Sequence, residues 1–232
     1  MIKNLFNVLK KDPYALTGVL IYLFFIIIAI FADLIAPNDP LRILFNSSGL
    51  ARNIDPGREF LLGTTSNGRD IFSQLVHGSR NALYVGLTAA LAVAILGTIV
   101  GLISGYFGGW VDNLIMRLAD IALGIPFLPF VIVLAAFLGP SSWNVVIAIS
   151  ILLWPNSGRV IRSQVLSLRE RAYIESAKVS GCSNLRIIFV HIGPNILPLS
   201  FLYGSIAIGW AILTEASISF LGFGPSDVIS WG

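Results

Sequence analysis

The sequence has little charge and very few of the residues that build redox or metal sites. Charged residues make up 12% of its 232 positions, against roughly 25% in soluble domains. The single cysteine, Cys182, excludes an internal disulfide, and two histidines offer little for a zinc-type centre. The sequence has neither a G-x-x-x-x-G-K-[ST] phosphate loop nor a convincing nucleophile–base set. These absences argue against a P-loop nucleotide hydrolase and against an enzyme embedded in the membrane.

Apolar residues dominate what is present, at 56% of the chain with a mean hydropathy of +0.84. About 20 apolar residues cross a bilayer as a helix, and the runs here lack the period-two alternation of barrel strands. We therefore predict an all-α membrane protein whose spans cover residues 15–36, 82–104, 118–138, 143–157 and 196–221. The first run is longer than a signal-peptide core, so it is predicted to remain as a span.

The placement of Lys and Arg predicts the orientation of the chain. The tail 1–14 holds three lysines, and the segment between the fourth and fifth predicted spans holds six basic residues. Positive charge accumulates in the cytoplasm, so the N-terminal tail and residues 159–191 are both expected there. Residues 37–81 then form an extracytoplasmic loop ending in an amphipathic helix, although their five arginines oppose this assignment. Residues 82–232 form the core.

Three glycines of the second predicted span recur at every fourth position, as Gly97, Gly101 and Gly105. This spacing places them on one face of a helix, where the absence of side chains lets a second helix approach closely. The pattern predicts a helix-packing surface.

Ionisable residues and prolines mark further positions within the spans. Glu215 and Asp120 are candidates for the transport pathway or for polar contacts inside the bundle. Asp120 is expected to pair with Arg117, three residues earlier. Proline bends a helix, and such bends are either tolerated kinks or parts of a pathway. The prolines concerned are Pro126, Pro129 and Pro155.

Residues 169–189 are patterned as an amphipathic helix between two spans. Its apolar or small residues fall on one stripe at steps of three and four, namely Ile174, Ala177, Gly181, Leu185 and Ile188. Such a segment can lie on the lipid surface, dock into a partner or serve as a connecting loop. Lipid-surface helices favour large Trp, Phe and Leu on the buried face, so the small Ala177 and Gly181 favour docking.

The same segment resembles the signature of ABC-transporter permease subunits, which reads E-A-A, three residues, G, and further on I-x-L-P. Here Glu175-Ser176-Ala177 precedes Gly181 and Ile192-x-Pro194, with Ser176 and Gly193 as departures. The resemblance implies a coupling helix that seats in a separate ATP-binding subunit. The residues expected to couple are Arg171, Ile174, Glu175, Ser176, Ala177, Lys178, Gly181 and Leu185.

A second stretch, "FLLGTTSNGRDIFSQLVHGSRNAL" at residues 60–83, is similar to the dipeptide, oligopeptide and nickel branch of these permeases. The resemblance extends over nearly the whole chain. It implies a polytopic helical bundle with five spans present, and a sixth span of the family missing at the C-terminus. It also implies a permease subunit that forms half of the pathway of an ATP-driven importer for peptides or a related small solute.

The resemblance further implies the partners: two ATP-binding subunits, a second permease subunit of different sequence, an extracytoplasmic solute-binding protein and membrane lipid. ATP and Mg would be bound by the ATP-binding subunits, and this inner-membrane chain is expected to hold no cofactor and no nucleic acid. The alternative is a stand-alone secondary transporter or channel. That class needs several ionisable groups within the membrane, and only Glu215, Asp120 and Asp33 qualify, all near span ends.

Overall fold

The computed structural model describes residues 12–46, 49–225 and 228–232. Most of the predicted tail 1–14, with its lysines, lies outside the described residues. The chain divides into two compact units. One holds the described residues up to Leu83 together with residues 228–231, and the other holds Tyr84–Pro225 with Gly232. The division falls inside a long helix, close to the predicted start of the core at residue 82.

The first unit begins with an apolar helix, α1 (Pro13–Ile30), followed by the short α2 (Ala32–Ile35). The Asp12 carboxylate accepts hydrogen bonds from the backbone N–H groups of residues 14 and 15, which satisfies donors at the helix start. A short antiparallel hairpin then pairs β1 (Phe45–Asn46) with β2 (Gly49–Leu50). Only 6% of the apolar window of α1 is buried, as a helix that meets lipid requires.

A guanidinium group joins the end of α1 to the start of α3 (Ile71–Phe107). Arg80 Nε donates to the carbonyl of Ala29 at 2.7 Å, and Arg80 Nη2 donates to that of Ile30 at 3.3 Å. These carbonyls have no partner within α1, so the bonds cap its C-terminus. Arg80 also pairs with Asp33 at 2.9 Å, and His77 lies 3.1 Å from the same carboxylate. These hydrogen bonds lower the pKa of the Asp33 carboxyl group, and the bond from Arg80 has the larger effect.

The second unit is helical throughout its regular structure. After the rest of α3 come α4 (Gly109–Gly124), α5 (Phe127–Leu138) and α6 (Ser142–Arg169). The short α7 (Ala172–Val179) precedes α8 (Asn184–Arg186), and a π-helical turn, Ile187–Ile192, leads into α9 (Gly193–Phe220). In the described part of the chain, four helices are long and apolar enough to cross a membrane, and the bent pair α4–α5 makes a fifth if it counts as one span.

Residues 118–138, predicted as one span, are divided between α4 and α5, which meet at 90° and pass as a span only together. The break lies at Ile125 and Pro126. Proline disfavours a helical conformation in the residue before it, and Ile125 is accordingly extended, with φ −82° and ψ 130°. Pro126 also has no N–H to continue the helix.

Other boundaries differ in length rather than in kind. The amphipathic helix predicted before the second span is continuous with that span as α3. The fourth span, predicted to end at residue 157, continues to Arg169, so the first part of the predicted loop 159–191 is helical. Pro155 lies inside α6, which runs on beyond it. Apolar periodicity alone does not mark where a helix leaves the bilayer, because the helix continues with polar residues.

Among the described residues, three apolar clusters form the core of the second unit, and two of them are large. One joins α3, α5, α6 and α9 around Val85, Val131 and Ile149. The other joins α6 to α7, the π-helical turn and the start of α9, and its centre is Ile161, Val165, Ile174, Ile187 and Ile192. The second cluster, which we call the junction core, fixes the segment that carries the permease-like signature.

Candidate functional site

The signature segment is built from two short helices and a sharp turn, not from the single helix predicted over residues 169–189. Helix α7 ends at Val179, and Gly181 adopts φ +79°. The Cys182 N–H donates to the carbonyl of Ala177, and the Gly181 N–H donates to that of Lys178, both at 3.0 Å. This is a Schellman cap, in which the left-handed position favours glycine. The segment therefore turns at Gly181.

The inner side of α7 faces its own chain. Ile174 is fully buried and Ala177 is 8% exposed. Both belong to the junction core, with Ile187 and Ile188 from the next turn. Ile174 and Ala177, both predicted to couple, are therefore packed within this chain, and their part in docking stays a prediction. Leu185, predicted on the same stripe, is 65% exposed, since the turn at Gly181 changes the register.

The outer side of the segment is open and combines charge with apolar surface. The polar residues Arg171, Glu175, Ser176 and Lys178 are all exposed. Tyr173, Leu185 and Val179 lie among them with 44%, 65% and 90% of their surface exposed. Exposed apolar patches that are rimmed by polar residues mark interaction sites. We call Tyr173, Val179 and Leu185, with the four polar residues, the outer face.

Tyr106, at the end of α3, holds this segment in place. Its ring is buried in the junction core, and its hydroxyl donates to Asn184 Oδ1 at 2.8 Å. The Lys178 ammonium lies 5.9 Å from the ring centroid, within cation–π range. Arg169 donates to the carbonyls of Gly105 and Tyr106 at 3.2 and 3.3 Å. The end of α3 thus contacts α7 itself and the residues that precede and follow it in the chain.

A second polar contact, an ion pair between Asp112 and Arg162, joins helices near the end of α3. Asp112, on the first turn of α4, accepts hydrogen bonds from Ser104 Oγ and from the Arg162 guanidinium. The Asp112 residue is 8% exposed. Burial makes such a pair sensitive to the loss of either member. It connects α3, α4 and α6, and the sequence reasoning missed it because its members are far apart in the chain.

Asp120 pairs with Arg159, not with Arg117 as predicted. The pairing joins α4 to α6 across the bundle, whereas Arg117 would have been a neighbour on the same helix. Both side chains are exposed, at 66% for Asp120 and 41% for Arg159.

Glu215, by contrast, is 2% exposed in α9, and its carboxylate accepts a hydrogen bond of 2.8 Å from Ser219 Oγ. It lies within the bundle.

The three glycines of α3 face α6 at close range. A Cβ atom on Gly97 would lie 2.0 Å from Ser157 Oγ, and one on Gly101 would lie 2.7 Å from Ile161 Cγ2. A Cβ atom on Gly105 would lie 2.7 Å from Val165 Cβ. No real side chain fits at these distances. These three glycines let α3 pack closely against α6, the helix that precedes α7.

Two family models match the chain. The model described as "Binding-protein-dependent transport system inner membrane component" covers residues 97–229. The model described as "N-terminal TM domain of oligopeptide transport permease C" covers residues 2–56. The chain belongs to the family of binding-protein-dependent inner-membrane permeases. The permease signature at Glu175–Gly181 lies inside the first matched region.

Curated relatives of this permease are similar over almost its full length. The dipeptide transport system permease protein of Alkalihalophilus pseudofirmus is 42% identical over 231 residues, 99% of this chain and 75% of the relative. The oligopeptide transport system permease protein of Bacillus subtilis is 34% identical over 96% of this chain and 72% of its own length. The glutathione transport system permease protein of Pectobacterium atrosepticum is 36% identical over 96% and 73%.

Family and structure together define the general role. This permease is a multi-pass inner-membrane protein with an all-α bundle and is a permease subunit of an ABC importer. Its relatives are permease components, which form a pathway and carry out no catalysis of their own. Among the described residues, no three His, Cys, Asp or Glu side chains are grouped as a metal site would require.

Proposed function

We propose that this permease imports di- or oligopeptides as half of a translocation pathway. The proposal is supported by the relatives named for dipeptide and oligopeptide transport. A second permease, of different sequence, completes the pathway. An extracytoplasmic binding protein delivers the solute, and two ATP-binding subunits supply ATP and Mg, so that this chain needs no cofactor. The N-terminus lies in the cytoplasm.

The outer face is the proposed contact with an ATP-binding subunit, and its exposure carries this part of the proposal. Val179 is 90% exposed at the end of a short helix whose opposite side is buried. Ile174 and Ala177 hold the helix from inside, while Gly181 gives it a fixed end. Movement of the ATP-binding subunits on binding ATP would therefore displace α7 as a rigid body and shift which side of the pathway is open.

Transport is tested with the complex that a tagged copy of this chain retains when it is purified from its own membrane in mild detergent. After reconstitution in liposomes, labelled dipeptides and tetrapeptides should enter only when ATP is present. A complex that lacks an ATPase, or that moves solutes without ATP, would contradict the proposal and favour a secondary transporter or channel.

The outer face is tested with a matched pair of variants, one in each unit of the chain. Leu185→Ser removes an apolar contact from the outer face, where Leu185 is 65% exposed. Leu61→Ser changes a residue of similar exposure, 58%, in the first unit. We expect Leu185→Ser to reduce the amount of ATPase that copurifies, and Leu61→Ser to leave it unchanged. Equal retention by both variants would mean that Leu185 meets lipid or solvent instead.

A further inference from the structure

A cavity of about 480 Å³ adjoins the break between α4 and α5. Its walls come from α3, α4, α5, α6 and α9. Ile125 and Phe127, on either side of Pro126, line it, together with Asn156 and Tyr203. All these residues belong to the second unit, so the cavity lies within one compact body.

The break between α4 and α5 leaves backbone carbonyls without helical partners beside this cavity. The last carbonyls of a helix have no partner inside it, and α4 ends at Gly124 without a helical continuation. Non-helical backbone at membrane depth is tolerated only where protein buries it or where it lines a water-filled cavity. Because residues of the break line the cavity, water in the cavity would satisfy the backbone there.

Asn156 adds a polar side chain at the same place. It is exposed and lies in α6, a candidate span. Within the described ranges, no residue forms a hydrogen bond with its side chain. An amide that is left without a partner in apolar surroundings is unfavourable. Asn156 therefore needs water or a polar solute, and its two N–H donors and one carbonyl acceptor match a peptide group.

A second cavity differs from the first in that, among the described residues, its lining has no polar side chain without a partner. It measures about 560 Å³ and lies between α3 and α9. Its lining is almost entirely apolar, and its polar Thr98 donates to Ser200 at 2.7 Å, so that pair needs no further partner. A lipid chain or an apolar helix suits such a groove. Nothing in its lining calls for water.

We propose that the cavity beside Pro126 is a water-filled wall of the solute pathway, and that Asn156 and Tyr203 are polar contacts for the passing solute. The solute class is a peptide in extended form, since an amide side chain reads the backbone and an apolar wall accepts varied side chains. This inference rests on the proposed function for the identity of the solute. The presence of water at the cavity rests on the geometry alone.

Cysteine labelling tests the inference in the assembled importer in liposomes. Cys182 is the only cysteine of this chain, so Cys182→Ser removes its thiol, and labelling is measured on this chain after it is separated from its partners. Asn156→Cys is then compared with Thr98→Cys, using the charged reagent 2-(trimethylammonium)ethyl methanethiosulfonate. We expect Asn156→Cys to react at least about tenfold faster, because only the thiolate reacts and an apolar environment keeps the thiol protonated. Tyr203→Cys, in the same cavity, is a second reporter should Asn156→Cys fail to assemble.

The outcomes separate the two proposals. A dipeptide that the complex imports should slow labelling at Asn156→Cys and leave Thr98→Cys unchanged. If Asn156→Cys and Tyr203→Cys both react no faster than Thr98→Cys, lipid or a partner helix fills the cavity and the inference is overturned. If the complex with the unsubstituted chain imports no peptide while the labelling contrast persists, the cavity is water-lined and the peptide assignment fails instead.

Discussion

The hydroxyl of Tyr106 donates a hydrogen bond of 2.8 Å to the side-chain oxygen of Asn184. Tyr106 is the penultimate residue of α3, and Asn184 is the first residue of α8. The bond therefore links a candidate membrane span to the residues that follow the turn at Gly181. Arg169, bonded to the Tyr106 carbonyl, holds the near side of α7. The end of α3 is thus bonded to the residue groups that precede and follow α7 in the chain.

Tyr106→Phe is expected to weaken this link while keeping the ring in the junction core. One hydrogen bond contributes about 1 kcal/mol, which corresponds to about a fivefold change in an equilibrium. The reconstituted complex should therefore assemble and hydrolyse ATP but import fewer peptides per ATP. Tyr84→Phe is the matched control, since Tyr84 lies on the same helix and is 45% exposed. An unchanged ratio of uptake to hydrolysis would show that Tyr106 has no role in transmission.

Apolar runs and glycine spacing predicted much of this fold because both act locally. A run of apolar residues must be helical in lipid, and the Gly97–Gly105 ladder presents one face wherever that helix packs. The ion pair of Asp112 with Arg162 could not be predicted, since 50 positions separate its members. Pairing across a bundle depends on which helices become neighbours, and periodicity along one helix does not contain that information.

The turn at Gly181 shows a different kind of error. The sequence does contain a signal, because glycine after a short helix with Lys in its last turn is typical of a C-terminal cap. The regular spacing of three and four residues predicts a single helix instead, because it continues by coincidence to Leu185. Ile174 and Ala177 are buried as an apolar stripe predicts, whereas Leu185 is not.

Gly101→Ala is expected to destabilise the bundle. Its Cβ atom would lie 2.7 Å from Ile161 Cγ2 and 2.8 Å from the Gly158 carbonyl oxygen, so α3 and α6 would have to separate. Overpacking of this kind costs about 1–3 kcal/mol. Gly209→Ala is the control, because no atom lies within 4 Å of its new Cβ and alanine favours the helix. Thermal unfolding in mild detergent should show a lower midpoint for Gly101→Ala alone. Equal midpoints would mean that the two helices adjust without loss.

Asp112→Asn should destabilise the permease more than Asp120→Asn does. Removing one member of a buried ion pair costs about 3–5 kcal/mol, and the 30% exposure of the Arg162 side chain places the expected loss at the lower end. Asp120 is 66% exposed, and such exposed pairs contribute about 0–1 kcal/mol. Unfolding of both variants by denaturant in detergent micelles measures the difference. Arg162→Gln in the Asp112→Asn background should recover part of the loss, and no recovery would argue against the pair as its cause.

Substitution at Gly181 should separate the shape of the segment from its chemistry. At φ +79° a valine is strained, and the left-handed conformation costs an L-residue about 1–2 kcal/mol. Gly181→Val should therefore unwind the end of α7, move Val179 and Leu185 apart, and uncouple ATP hydrolysis from peptide uptake while the protein still inserts in the membrane. Asparagine tolerates this conformation, so Gly181→Asn should keep most of the uptake per ATP. If the two variants transport equally well, the cap does not hold the outer face, and the fixed geometry of α7 is not what passes motion from the ATP-binding subunits to the membrane helices.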